Sequence, residues 1–162
     1  MKISEMMMSN LTILHETETL EKAAKKMIER NMSGAPVVGN QGKLVGILSE
    51  TDILKHMKSL VDDEVGMRYL SDTTHSLSLF VMLAEKNHEV RENVLMKLRE
   101  AKVGKAMTTN VITAKPSDTI ESVAALMIEH NIDRIPILDQ DELVGIVTKS
   151  DFARLIATGI PR

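Results

Sequence analysis

The sequence predicts an α/β (α+β) fold in which one β-α-β-β-α unit is used twice, with a helical insertion between the two copies. Three observations lead there. Displaced by 100 positions, the 162-residue chain lies over itself: Met7 on Met107, Asn10 on Asn110, Thr19 on Thr119, Glu21 on Glu121 and Ala24 on Ala124. "MIERN" (27–31) then covers "MIEHN" (127–131), Pro36 covers Pro136, and one residue dropped in a turn brings "LVGI" onto "LVGI" and Asp52 onto Asp151. Within each copy the apolar spacing switches between the helical and the strand period. Residues 57–104 match neither copy, which divides the chain into a first repeat (1–56), a partly helical insertion (57–104) and a second repeat (105–162).

Each copy opens on a short strand candidate, "LTIL" (11–14) or "VIT" (111–113), followed by an N-cap expected at Thr17 or Ser117, the latter preceded by Pro116. A helix should follow. Leu20, Ala23, Ala24, Met27 and Ile28 recur at i, i+3, i+4 spacing, as do Ile120, Val123, Ala124, Met127 and Ile128, so these sets are expected to face the core. "APVV" (35–38) and "IPIL" (135–138) read as strands joined through "GNQG" and "DQDE" turns to "LVGILS" and "LVGIVT", giving two hairpins. Ser49 and Thr148 open second helices beginning "ETDILKHM" and "KSDFARLI". In the insertion, "DDE" (62–64) reads as a solvated turn. Residues 77–100 can be drawn as a helix with Leu83, Val90, Val94 and Leu98 on one stripe, which packs on the domain, on a second copy or on a partner.

Composition narrows the function. The net charge of −3 supplies no field for a nucleic-acid backbone, and Tyr69, Phe80 and Phe152 are too few aromatics for a base-stacking platform. The longest apolar run, near "LFVMLA", is far below the ~20 residues of a membrane-spanning helix, and "MKISEMMMSN" lacks an apolar secretory core. No membrane or nucleic-acid partner is therefore expected. Absence of cysteine removes disulfides and thiolate metal sites and makes a cytoplasmic location the expectation. His15, His56, His75, His88 and His130 are scattered without a metal-ligand spacing or an activated nucleophile, so the chain reads as neither an enzyme nor a metal binder.

The strand-to-helix junctions are the candidate sites. Ser49 or Thr148, three residues before Asp52 or Asp151, matches a capping box, with the carboxylate favoured by the helix dipole. The same junction offers a ligand surface: the Asp accepts hydrogen bonds from two vicinal hydroxyls of a ribose, while the neighbouring hydroxyl and amides face anionic oxygens. Gly46 and Gly145, near the ends of the preceding strands, would allow a ligand close to the backbone. The second repeat adds cations, Arg134 and Lys149, where the first has Gly34 and Glu50. A flat base would need an apolar slot, which Ile112, Ala114, Ile135 and Pro136 supply in one half and Ile13, Ala35 and Pro36 in the other.

The segments "MMMSNLTILHETETLEKAAKKMIERNMSGAPVVGNQGKLVGILSETDIL" and "KAMTTNVITAKPSDTIESVAALMIEHNIDRIPILDQDELVGIVTKSDFARL" each resemble a cystathionine β-synthase (CBS) domain, so the chain resembles a tandem CBS pair, or Bateman module. The resemblance covers about two-thirds of the chain. It implies two repeats packed about a pseudo-twofold axis with two clefts, homodimerisation, and an adenosine-containing ligand such as AMP, ADP, ATP or S-adenosylmethionine, bound as a regulator and not as a catalytic cofactor. In the second repeat it implies Asp151 for ribose, Thr148 and Ser150 beside it, Arg134 for phosphate with Asp133 and Lys149 as neighbours, and Thr113 in the base-lining strand. In the first repeat Asp52, Ser49 and Thr51 match, but Ser33 and Gly34 stand where a basic or polar pair often occurs. No catalytic or transport domain accompanies the pair, so a stand-alone regulator of a separate target protein is expected. The competing expectation is an interaction or dimerisation scaffold with vestigial clefts.

Overall fold

The computed structural model describes residues 1–65 and 88–159. After a 3-10 turn at Ile3–Glu5, the first repeat runs β1 (Leu14–His15), α1 (Leu20–Glu29), β2 (Gly34–Val38), β3 (Leu44–Ser49) and α2 (Glu50–Val65). Helix α3 (His88–Glu100) and a single helical turn, α4 (Val103–Ala106), lead into α5 (Ile120–Glu129), β4 (Arg134–Asp139), β5 (Glu142–Thr148) and α6 (Lys149–Thr158). The two repeats pack about a pseudo-twofold axis, each an α+β layer.

In the first repeat β1 pairs parallel with β2 (Leu14 opposite Val37), and β2 pairs antiparallel with β3 from Gly34 opposite Ser49 onward. The β4–β5 hairpin repeats that register from Arg134 opposite Thr148, with a bulge at the equivalent place, Ile137/Leu138 against Val37/Val38. The expected opening strands are shorter than the sequence indicates. "LTIL" contributes only Leu14, and "VIT" contributes none; its counterpart is one bridge in which Ala114 meets Ile137.

The helices begin two residues later than expected. Thr19 and Thr119, not Thr17 and Ser117, are the N-caps, each accepting from a backbone N–H three residues on. Residues 17 and 117 instead lie in turns closed by Glu18 and Asp118, whose carboxylates accept from the N–H groups of His15 and Lys115. The buried stripe is also narrower. Leu20, Ala23 and Met27 are buried on α1 and Val123 and Met127 on α5, but Ile28 and Ile128 are each 79% exposed. "DDE" is not a turn: Asp62 lies within α2 and pairs with Lys58 at 2.7 Å.

The two cores exchange their leading segments. Ile3 and Met6 are buried in the core of the second repeat beside Val123, Ile135 and Val147, while Val103 is buried in that of the first, beside Leu20, Ala23 and Leu48. Backbone bonds fix the exchange, Ile3 N–H to Asp118 O at 2.8 Å and Val103 N–H to Glu18 O at 2.9 Å. Removing Ile3 and Met6 from water contributes about 1.5–3 kcal/mol each, so each repeat is completed by the other's lead. Gly46 and Gly145 serve this exchange. A Cβ at Gly145 would stand 2.5 Å from Met7 Sδ, and one at Gly46 would stand 2.5 Å from Met107 Sδ. The close approach expected of a ligand is made by methionine.

Helix α3 packs on α1 and α2. Val94 is fully buried and Leu98 joins the first core, and Arg99 holds Glu21 of α1 at 2.5 Å. For this described part of the insertion, packing on the domain is what the structure shows; Leu83 and the rest of 66–87 lie outside the described residues.

Candidate functional site

Two clefts open between the repeats, one at each strand-to-helix junction. The larger, about 730 Å³, is centred on Asp151; the smaller, about 300 Å³, on Asp52. Both carboxylates are buried, at 4% and 7% exposure. Asp151 Oδ2 accepts from Thr148 N–H at 2.8 Å and from Thr148 Oγ1 at 2.7 Å. Asp52 Oδ2 accepts from Ser49 N–H at 2.8 Å and from Ser49 Oγ at 2.5 Å. One oxygen of each carboxylate is thus committed to starting its helix, as a capping box requires. The capping and ligand readings differ only in what the second oxygen does.

That second oxygen differs between the clefts. Asp52 Oδ1 accepts a 2.8 Å hydrogen bond from Thr108 Oγ1. The position equivalent to Thr108 is Met8, which lines the Asp151 cleft and brings no hydroxyl, and Asp151 Oδ1 lies 3.8 Å from Arg154 Nη1.

The lining is crossed between repeats, so the two clefts group the residues differently from the order of the sequence. Residues Asn10, Leu11 and Thr12 of the first repeat face the Asp151 cleft, together with Gly34 and Pro36. Val111 and Ile112 of the second repeat face the Asp52 cleft. Ile112 therefore does not share a cleft with Asp151, nor do Gly34 and Pro36 share one with Asp52. The cause is the exchange of lead segments: the chain that enters each repeat first crosses the mouth of the other's junction. Ala35, Ala114 and Ile135 are buried in the cores and line neither cleft. Ile13, Thr113 and Pro136 are likewise absent from both linings. Ser150 and Lys149 face the Asp151 cleft, and Ser49, Thr51 and Asp52 the other.

Charge separates the clefts further. Arg30, Arg134, Lys149 and Arg154 face the Asp151 cleft against two carboxylates, Asp133 and Asp151; Lys149 is paired with Asp133 at 2.7 Å. The Asp52 cleft has Lys55 and Arg134 against Glu50, Asp52 and Asp133. Arg134 belongs to both. Burial pulls its guanidinium below the ordinary arginine value, opposed by the charges of Asp133, Glu50 and Asp52. Arg30 and Arg154 were missed in the sequence; Arg154 could have been found one turn after Asp151 on the helix, whereas Arg30 reaches the cleft only through the packing of the repeats. His130 lines neither cleft. Among the described residues no cluster of three His, Cys, Asp or Glu side chains is arranged to hold a metal, and no helix is long and apolar enough to cross a membrane.

A sequence profile of the CBS domain matches residues 3–59 and 103–158, on both copies of the repeat. The chain belongs to the CBS domain family. The uncharacterized protein MJ1426 of Methanocaldococcus jannaschii is 36% identical over 140 residues, which is 86% of this chain and 82% of that protein. The CBS domain of a CBS domain containing membrane protein from Sphaerobacter thermophilus superposes with a TM-score of 0.70 at 30% identity, covering 95% of this chain and 86% of that one. CBSX2, solved in complex with AMP, superposes with a TM-score of 0.66 at 21% identity, covering 96% of each chain. Other relatives carry the CBS pair as a small part: the homoserine O-acetyltransferase of Methanococcus vannielii is 30% identical over 95% of this chain, which spans 24% of that enzyme. CBS pairs are generally regulatory, and this chain is a CBS pair.

Proposed function

We propose that this CBS pair is a regulatory module that binds an adenosine-containing nucleotide in the Asp151 cleft and, through the relative arrangement of its two repeats, changes its interaction with a separate target protein. The observation that carries the reading is the placement of a buried carboxylate, Asp151, in a cleft that is also lined by four cations and by residues 10–12 of the other repeat. A diol fits the carboxylate, and a phosphate fits the cations. The cleft volume of about 730 Å³ is within the range of small-molecule sites. CBSX2 with AMP shows the same fold holding such a ligand. The ligand acts only by its differential affinity for two arrangements, typically 1–3 kcal/mol, or roughly 5-fold to 150-fold.

Homodimerisation is part of the proposal. Ile28 and Ile128 occupy matching positions on α1 and α5 and are 79% exposed, and Ile156 on α6 is 87% exposed, so the module presents apolar side chains on helices of both repeats. The same surface favours the second reading, a dimerisation scaffold whose clefts are vestigial.

A dye-based thermal-shift panel of AMP, ADP, ATP, S-adenosylmethionine and NAD separates them. At ~100 times its dissociation constant a ligand adds about 2.7 kcal/mol, a rise of roughly 5–10 °C for a chain of this size. Such a rise supports the nucleotide reading. A flat panel at millimolar ligand leaves the scaffold reading.

A further inference from the structure

Ser33, Asp133 and Arg134 line both clefts, and Arg134 is the cation common to the two. Its position depends on residue 34 being glycine. A Cβ on Gly34 would overlap Nη1 of Arg134 and stand 2.7 Å from its Cζ, so the guanidinium lies across the start of β2 where any other side chain would displace it. Nη2 donates to Ser33 Oγ at 2.8 Å, which anchors it at the boundary between the cavities. In the sequence Gly34 reads as the loss of a cation from the first repeat; in the structure it is the space that the second repeat's cation fills.

Three carboxylates act on this guanidinium, Asp133, Glu50 and Asp52, and the last two belong to the smaller cleft. While Arg134 rests there it offsets them. Once a phosphate in the Asp151 cleft engages it, the Asp52 cleft retains Lys55 against three carboxylates, a poor setting for a second anion. Two phosphates drawn to one half-buried guanidinium would in addition repel each other across it.

We infer that Arg134 is a single anion-binding group shared between the clefts, so that a phosphorylated ligand in one cleft antagonises a phosphorylated ligand in the other. This rests on the nucleotide reading above and goes beyond it, because it makes the two clefts mutually dependent. By linkage the antagonism is reciprocal, with the same factor in both directions.

The test is calorimetric titration of the intact chain with AMP. Wild type should bind one AMP tightly and a second weakly. In Asp151→Ala, which weakens the larger cleft, titrated at AMP concentrations that leave that cleft unfilled, the Asp52 cleft should bind AMP at least ~5-fold more tightly than it does in wild type with the larger cleft filled. In an Arg134→Gln background that gain should vanish. Because Asp151 also starts α6, the pair Lys149→Gln and Arg154→Gln, both exposed, provides a second way to weaken the larger cleft without touching the buried carboxylate. Equal Asp52-cleft affinity in wild type and in both variants overturns the inference and leaves the nucleotide reading standing. Failure of the Asp52 cleft to bind AMP in any variant also overturns it. Failure of wild type to bind AMP at all removes the nucleotide reading and the inference together.

Discussion

The two clefts come from one duplicated sentence, yet they have diverged at the positions where a ligand would be read. Asp52 and Asp151 both spend one oxygen on their own helix. The other oxygen of Asp52 is occupied by Thr108, while the equivalent of Thr108 beside Asp151 is Met8. Glu50 stands where the second repeat has Lys149, and the charge lining the clefts follows. The lesson is that duplication preserves the scaffold of a site, since capping and packing demand the same residues twice, and leaves its chemistry free to drift.

The largest expected difference is in nucleotide affinity. Asp151→Ala should lose charge-assisted bonds worth about 1.5–3 kcal/mol, roughly 10-fold to 150-fold in AMP affinity, whereas Asp52→Ala should cost less than about 10-fold because its cleft is the smaller and sets two cations against three carboxylates. Titration calorimetry run alongside melting curves tests this, since both changes also remove helix-start stabilisation of about 0.3–1 kcal/mol. An equal loss for the two variants would erase the distinction between the clefts.

Next come the glycines under the exchanged segments. Gly46→Ala should destabilise by about 1–3 kcal/mol, because its Cβ would meet both Met107 Sδ at 2.5 Å and the Thr108 carbonyl oxygen at 2.9 Å. That carbonyl accepts from Ile47 N–H at 2.9 Å and cannot yield. Gly145→Ala should cost less, since the three atoms nearest its Cβ all belong to the Met7 side chain, whose Sδ and Cγ can rotate away, and no backbone atom stands among them. Urea midpoints that rank the two the other way would show that the leads are not held as described.

Thr108→Val isolates the bond at Asp52. Removing the hydroxyl should cost about 1–3 kcal/mol in unfolding free energy, as the buried carboxylate loses a partner. Met8→Val, at the equivalent position beside Asp151, removes no hydroxyl and should carry the smaller penalty. If denaturant melts give the two substitutions the same penalty, the Thr108 bond contributes nothing measurable.

The smallest effect concerns the insertion. Pairing with Arg99 and Lys25 holds the Glu21 carboxyl below its ordinary value of 4.5. A lowered folded-state pKa contributes stability that is present above the unfolded value and is lost as pH falls through the folded one. Arg99→Ala should therefore lower Tm slightly near neutral pH, and the gap to wild type should close as the pH falls below 4.5. The exposed pair is screened by salt, so the gap should also shrink at high ionic strength. A gap independent of pH would assign the effect of Arg99 to packing.

Much of this molecule is legible in its residues. The duplication, the two hairpins, the second helices and the Asp at each junction all follow from local rules: periodicity, turn chemistry and capping are satisfied within a dozen residues, so a short window of sequence contains their cause. The errors have the same origin. Thr17 and Ser117 look like caps until the turns closed by Glu18 and Asp118 carry the start two residues on. Ile28 and Ile128 fit the helical stripe and yet point outward, because spacing cannot say how wide a face the sheet beneath will cover.

What only the tertiary structure decided is which strand lines which cleft. The lead of each repeat crosses to the other, so residues 10–12 face Asp151, and residues 111 and 112 face Asp52. Nothing in local sequence encodes that crossing, since Ile3 and Val103 are equally apolar and either core would accept them; the choice lies in packing between segments about a hundred residues apart. The same holds for Gly34, whose meaning is set by an arginine in the other repeat. Sequence by itself determined the units and their chemistry at each junction, because those depend on neighbours along the chain. Their assembly into two unequal and adjoining clefts depends on neighbours in space.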